Sequence, residues 1–113
     1  MSEIEQLQPQ PVWQWFARLC AVPRPTFHEQ AVREMLVKAA QEHGLKTDID
    51  AKEICVFANQ PLRVWKIVVP VAIQAHMDMV AQKGTDSQHD FQRDPVQTQI
   101  KEGWFGLMTR PRC

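Results

Sequence analysis

His76 and Asp78 are the residues of this sequence whose types and spacing could do metal chemistry. A neutral imidazole is a common zinc ligand, and a carboxylate two positions further along a strand lies on the same face. There it can accept the second imidazole N–H, which fixes the tautomer and raises the basicity of the ligand. The pattern is that of half a zinc site, but a His and an Asp at this spacing are more often an ordinary polar pair, so the pattern alone is weak evidence.

An apolar run at residues 68–75 leads directly into His76. The run is too short to cross a membrane, and its composition is typical of a strand buried on both faces of a parallel sheet. Sheets of this kind carry their chemistry beyond the carboxyl ends of their strands. The sequence therefore predicts an α/β fold with His76 at the carboxyl end of a buried strand.

Two helices are predicted before that strand. Pro11 suits a first helical position, and apolar residues at helical spacing extend the first helix to about Cys20. Thr26 and Glu29 have the spacing of a capping box, which predicts a second helix ending at Gly44. Both helices carry an apolar face for a core.

The strand signals lie at residues 46–50 and around 54–57, and with the run at 68–75 they predict a sheet of at least three strands. Residues 81–94 are polar and rich in turn formers, which is typical of a solvated loop that carries His89 by chance.

Four ordered motifs resemble the aminoacyl-histidine dipeptidases, also called peptidase D or cytosol non-specific dipeptidases. They lie at residues 8–13, 22–29, 74–80 and 89–96. The resemblance implies the N-terminal part of an α/β/α catalytic domain of the carnosinase and carboxypeptidase G type. It also implies two zinc ions, a homodimer, and hydrolysis of dipeptides, including Xaa-His, by a metal-activated water.

The resemblance assigns roles to two residues only. It implies that His76 binds one zinc and that Asp78 stands behind it as an orienting, catalytically required carboxylate. The family's bridging aspartate, its glutamate pair and its later ligands have no counterpart here, so the chain alone is expected to be inactive. His89, Asp90 and Phe91 are family landmarks near the substrate cleft, without an assigned role.

Two segments, at residues 57–68 and 105–113, depart from the family pattern. Back-translated with suitable synonymous codons and read in a shifted frame, both become family-like. We therefore interpret residues 1–113 as a fragment of the peptidase catalytic domain, translated from a frame-damaged or mis-sequenced gene and ending just before the second metal ligand.

Charge and cysteine content are those of an ordinary intracellular protein. The chain has 13 basic and 13 acidic residues and no basic run, so neither a nucleic acid nor a membrane is expected as a partner. Its cysteines, Cys20, Cys55 and Cys113, form no C-x-x-C or other zinc pattern, which favours a reducing cytoplasm. The first residues lack the features of a secretory signal.

A different class of function stays open. The chain could be a small non-catalytic α/β protein, or a truncated subunit that binds others, in which His76 and Asp78 are structural. Stoichiometric zinc and dipeptide hydrolysis would distinguish the two interpretations.

Overall fold

The computed structural model describes residues 2–60 and 69–107. A short 3-10 helix (Glu3–Gln6) precedes two helices, α1 (Gln10–Ala21) and α2 (Gln30–Glu42). Four short strands follow: β1 (Lys46–Ile49), β2 (Cys55–Ala58), β3 (Thr98–Lys101) and β4 (Trp104–Leu107). Helices with small sheets confirm the predicted α/β class.

Helix α1 forms as the sequence predicts. Pro11 occupies its first turn, where the missing N–H costs nothing, and the helix ends next to Cys20, which is buried. The side chains of Trp13 and Phe16 contact the ring of Phe105 in β4, with centroid distances of 5.9 and 5.1 Å. These rings join the first helix to the last described strand.

Helix α2 begins later than its predicted capping box requires. Its N-cap is Glu29, and neither Glu29 nor Thr26 caps the helix with its side chain. Phe27 has a φ of 69°, in the left-handed region, so the chain between Thr26 and Glu29 cannot be the first turn of a helix. The capping-box prediction was wrong, whereas the ending at Gly44, with a φ of 70°, is confirmed.

Both sheets are local antiparallel hairpins. Strands β1 and β2 pair in the register Thr47 with Phe57, and Asp50 Oδ1 accepts the backbone N–H groups of Lys52 and Ile54 in the connecting turn. Strands β3 and β4 pair through a turn at Glu102 and Gly103, both at positive φ. This two-residue geometry matches the right-handed twist of the strands.

The buried central strand predicted at residues 68–75 is absent from the described part of this run, residues 69–75. These residues form no strand, and the predicted sheet of three or more strands is replaced by the two hairpins. The pairing next to the run is a single parallel bridge between Pro25 and Met79. A strand buried on both faces needs partners on both edges and layers above and below, which the described residues do not supply.

Only parts of the two segments that depart from the family pattern lie within the described residues. Residues 57–58 lie in β2 and residues 105–107 in β4, whereas residues 61–68 and 108–113 lie outside the described residues. Within the described ranges, no helix is long and apolar enough to span a membrane.

The core is small and is formed by side chains of the three helical segments. Its buried apolar side chains are Ile4, Cys20, Val32 and Ala40, of which Val32 is fully enclosed. The N–H of Val96 donates to the carbonyl of Cys20 over 2.8 Å, which ties the segment before β3 to the end of α1. The same end of α1 leads into the residues that hold the candidate site.

Candidate metal centre

His76 and Asp78 contact each other as their spacing predicts. His76 Nδ1 lies 2.8 Å from Asp78 Oδ1, and because an ionised carboxylate only accepts, the ring nitrogen donates. With its proton on Nδ1, the neutral ring keeps its lone pair on Nε2, the form in which an imidazole binds a metal. The His76 side chain is 80% exposed and that of Asp78 28% exposed, so the imidazole projects outward from its carboxylate.

Thr26 holds the other oxygen of the same carboxylate. Its Oγ1 donates to Asp78 Oδ2 over 2.7 Å, so each carboxylate oxygen accepts one hydrogen bond. The Thr26 hydrogen bond, followed by that of His76, lowers the pKa of Asp78 below its ordinary value. The carboxylate is therefore kept ionised and oriented, which is the state required to accept from His76.

Arg24 fixes the backbone beneath this pair. Its carbonyl accepts the N–H of Met79 over 2.9 Å, its guanidinium donates to the carbonyl of Leu19, and a second guanidinium nitrogen lies 3.3 Å from Met79 Sδ. One arginine thus joins the end of α1 to the segment that carries Asp78. The site is built from two stretches of chain, joined by contacts between residues 52 and 55 positions apart.

A groove of about 370 Å³ lies beside Thr26. Its polar lining includes His28 and His89, and His28 Nε2 lies 3.4 Å from the side-chain amide nitrogen of Gln92. The ring of His89 packs edge-on against Phe91, with a centroid distance of 4.8 Å. Since Thr26 both lines this groove and binds Asp78, it joins the groove to the carboxylate that orients the candidate ligand His76.

The donor set around His76 fits one ligand position of a zinc site and does not complete a site. Residues 2–60 and 69–107 contain no group of three or more His, Cys, Asp or Glu side chains that could hold a metal ion. A zinc site ordinarily needs at least three protein ligands. The described residues thus offer one exposed imidazole and the carboxylate that orients it.

Comparisons with known proteins find two dipeptidases that are similar to this chain. No protein-family model matches the chain. The cytosol non-specific dipeptidase of Escherichia coli (strain K12) is 39% identical over 104 residues, covering 92% of this chain and 21% of that protein. The crystal structure of aminoacylhistidine dipeptidase from Vibrio alginolyticus matches with a TM-score of 0.81 and 36% identity, over 95% of this chain and 22% of that one.

This chain is similar to part of an aminoacyl-histidine dipeptidase. It spans about a fifth of the length of each dipeptidase that it matches. The resemblance read from the four motifs is confirmed, and the small share of each dipeptidase that is covered fits the interpretation of the chain as a fragment.

Sequence reasoning missed Arg24 and Thr26. Thr26 was interpreted as a helix cap, although its hydroxyl binds Asp78. Both residues flank Pro25 in one of the four motifs that resemble the dipeptidases, which was the available signal. That signal marks a dipeptidase-like stretch of sequence and does not say which distant residue each side chain contacts.

Proposed function

We propose that this chain supplies part of a zinc-dependent dipeptidase that hydrolyses dipeptides, including Xaa-His substrates. The observation that carries the proposal is the 2.8 Å contact of His76 with Asp78 in a chain 39% identical to a cytosol non-specific dipeptidase. A neutral imidazole backed by a carboxylate is a common arrangement in zinc enzymes, because the carboxylate orients the ring and raises its basicity.

In this proposal His76 is a zinc ligand through Nε2, and Asp78 is the positioning residue behind it. The hydrogen bond from Thr26 supports this role, because it keeps Asp78 ionised and leaves its other oxygen for the imidazole. The remaining ligands and the general base of a zinc peptidase must come from elsewhere in a complete enzyme. We therefore expect the isolated chain to bind zinc weakly and to hydrolyse no dipeptide at a useful rate.

The expected location is the cytoplasm. The name of the Escherichia coli relative includes the cytosol, and Cys20 and Cys55 are unpaired thiols, as in a reducing compartment. A dipeptide is the expected partner, with neither nucleic acid nor membrane.

The test is a chimera in which this chain replaces the region that it matches in the Vibrio alginolyticus dipeptidase. We expect zinc-dependent hydrolysis of a Xaa-His dipeptide by the chimera and none by the isolated chain. His76→Ala in the chimera should abolish hydrolysis and lower the bound zinc. His43→Ala is the matched control, because the His43 ring is hydrogen-bonded to the carbonyl of Ala39 at the end of its own helix, α2.

Circular dichroism of each chimera checks that the variants are folded. A folded chimera that stays fully active after His76→Ala would overturn the assignment of the ligand. Robust zinc-dependent turnover by the isolated chain, lost on His76→Ala, would overturn the expectation that the fragment is inactive.

A second candidate is a non-catalytic α/β protein with a structural His76–Asp78 pair. The lack of a three-ligand group among the described residues favours it. It predicts a folded chimera that neither retains zinc nor hydrolyses dipeptides.

A further inference from the structure

Three β-branched side chains stand exposed just before His76. Val69, Val71 and Ile73 are 81%, 88% and 95% exposed. Singly exposed apolar residues are normal on protein surfaces, but a contiguous apolar stretch of this kind marks a contact surface. In an extended chain these three side chains lie on one face, because successive side chains alternate.

The backbone of the same stretch has no pairing with the part of the chain that the structure describes. Residues 69–75 form no hydrogen bond with any other described residue, and the next backbone pairing along the chain is Met79 with Arg24. Pro70 has no N–H, so the edge shared by residues 70, 72 and 74 lacks one donor. The opposite edge keeps the N–H groups of Val71 and Ile73, so it can form all of its backbone hydrogen bonds with a neighbouring strand.

The solved dipeptidase indicates what could cover this surface. This chain adopts a fold with a TM-score of 0.81 to that structure, while covering only 22% of its length. The same backbone arrangement therefore occurs in a molecule in which the remaining 78% of the chain is about three and a half times as long as the matched part. An apolar face and an open ladder are both suited to receive a strand.

We propose that residues 69–75 are a strand-pairing surface for the part of an aminoacyl-histidine dipeptidase that lies outside the matched region. Pairing places the N–H groups of Val71 and Ile73 in a ladder and buries the face formed by Val69, Val71 and Ile73. The chain and the remaining part of the enzyme then associate as separate polypeptides. This inference rests on the fold similarity and does not require catalysis or zinc.

The experiment co-expresses this chain with the Vibrio alginolyticus dipeptidase polypeptide that lacks the matched region. We expect a complex of one copy of each, measured by sedimentation of the purified pair without added metal. In the complex, hydrogen exchange at the amides of Val71 and Ile73 should slow by on the order of a hundredfold relative to the chain alone.

A double substitution tests the face itself. Val71→Asp with Ile73→Asp should weaken the complex by on the order of a hundredfold, because two carboxylates would be buried without partners. Ile54→Asp is the matched control, a β-branched residue that is 57% exposed near the β1–β2 turn, and should leave the affinity unchanged.

Several outcomes would overturn the proposal. They are a remaining polypeptide that stays insoluble or unbound in the presence of the chain, protection of Val71 and Ile73 that depends on the concentration of this chain alone, and equal weakening by Ile54→Asp. The second outcome would assign the surface to a second copy of the chain. A bound but inactive complex would support the pairing surface while counting against the proposed function.

Discussion

Thr26 Oγ1 donates a hydrogen bond to Asp78 Oδ2 over 2.7 Å, although the two residues are 52 positions apart in the chain. The contact occupies the carboxylate oxygen that His76 does not use. It joins the turn before α2 to Asp78, the carboxylate that orients the candidate ligand His76. The orientation of His76 therefore depends on tertiary structure as well as on its spacing from Asp78 in the sequence.

Replacing Thr26 by valine should raise the pKa of Asp78 toward its ordinary value. The hydroxyl is the largest cause of the lowered pKa, and valine keeps the shape of threonine while removing the donor. NMR titration of the Asp78 carboxyl carbon measures the change, and Thr26→Ser should retain most of the lowering. Thr47→Val, in β1, is the control; an equal rise in that variant, or no rise in Thr26→Val, would contradict the prediction.

The same contact has a consequence for stability against acid. Asp78 has a lower pKa in the folded chain than when unfolded, so its contribution is fully present above the unfolded pKa. That contribution is lost as the pH falls through the folded pKa. Thr26→Val should therefore make the unfolding midpoint less dependent on pH over that acidic range, as measured by urea unfolding at several pH values.

Replacing Phe105 by alanine should lower the free energy of unfolding by about 1 to 2 kcal/mol. The Phe105 ring packs edge-on against Phe16 and is tilted against Trp13, and its loss disconnects β4 from α1. Urea unfolding followed by far-ultraviolet circular dichroism measures the change. Phe27→Ala is the control, because that ring is 91% exposed, and a similar loss there would refute the role of the cluster.

Replacing Gly103 by alanine should destabilise the β3–β4 hairpin by about 1 kcal/mol. Gly103 has a φ of 79°, which an L side chain adopts only with strain, although a Cβ would meet no atom within 4 Å. Hydrogen exchange at the amides of Lys101 and Trp104, the hydrogen-bonded pair that closes the two-residue turn, reports local opening. Gly84→Ala, at a glycine without positive φ and with open space around it, should leave those amides unchanged.

The nucleotide sequence tests the interpretation of the two departing segments. We expect the codons for residues 57–68 and for 105–113, read in a shifted frame, to encode sequence like that of the dipeptidases. Codons that yield no dipeptidase-like sequence in any frame would reject a damaged reading frame.

Local signals in the sequence were sufficient to locate both helices and strands β1 and β2, although not the first turn of α2 or the pairing of the strands. Helix α1 follows from Pro11 and its apolar spacing, and strands β1 and β2 lie where the strand signals were read. The second hairpin had a local signal that went unread, since Glu102-Gly103 between extended residues is suited to a tight turn. Short-range turn chemistry and helical spacing act within a few residues, which is why they can be read from sequence.

Tertiary structure decided what the sequence left open. The spacing of His76 and Asp78 predicted their contact, whereas the partner of Thr26 and the anchoring of Met79 by Arg24 depend on residues more than fifty positions away. The run at 69–75 has the composition of a buried strand, but whether such a run is buried depends on neighbouring strands and layers. Composition specifies which side chains favour burial, and only the assembled chain supplies the surfaces that bury them.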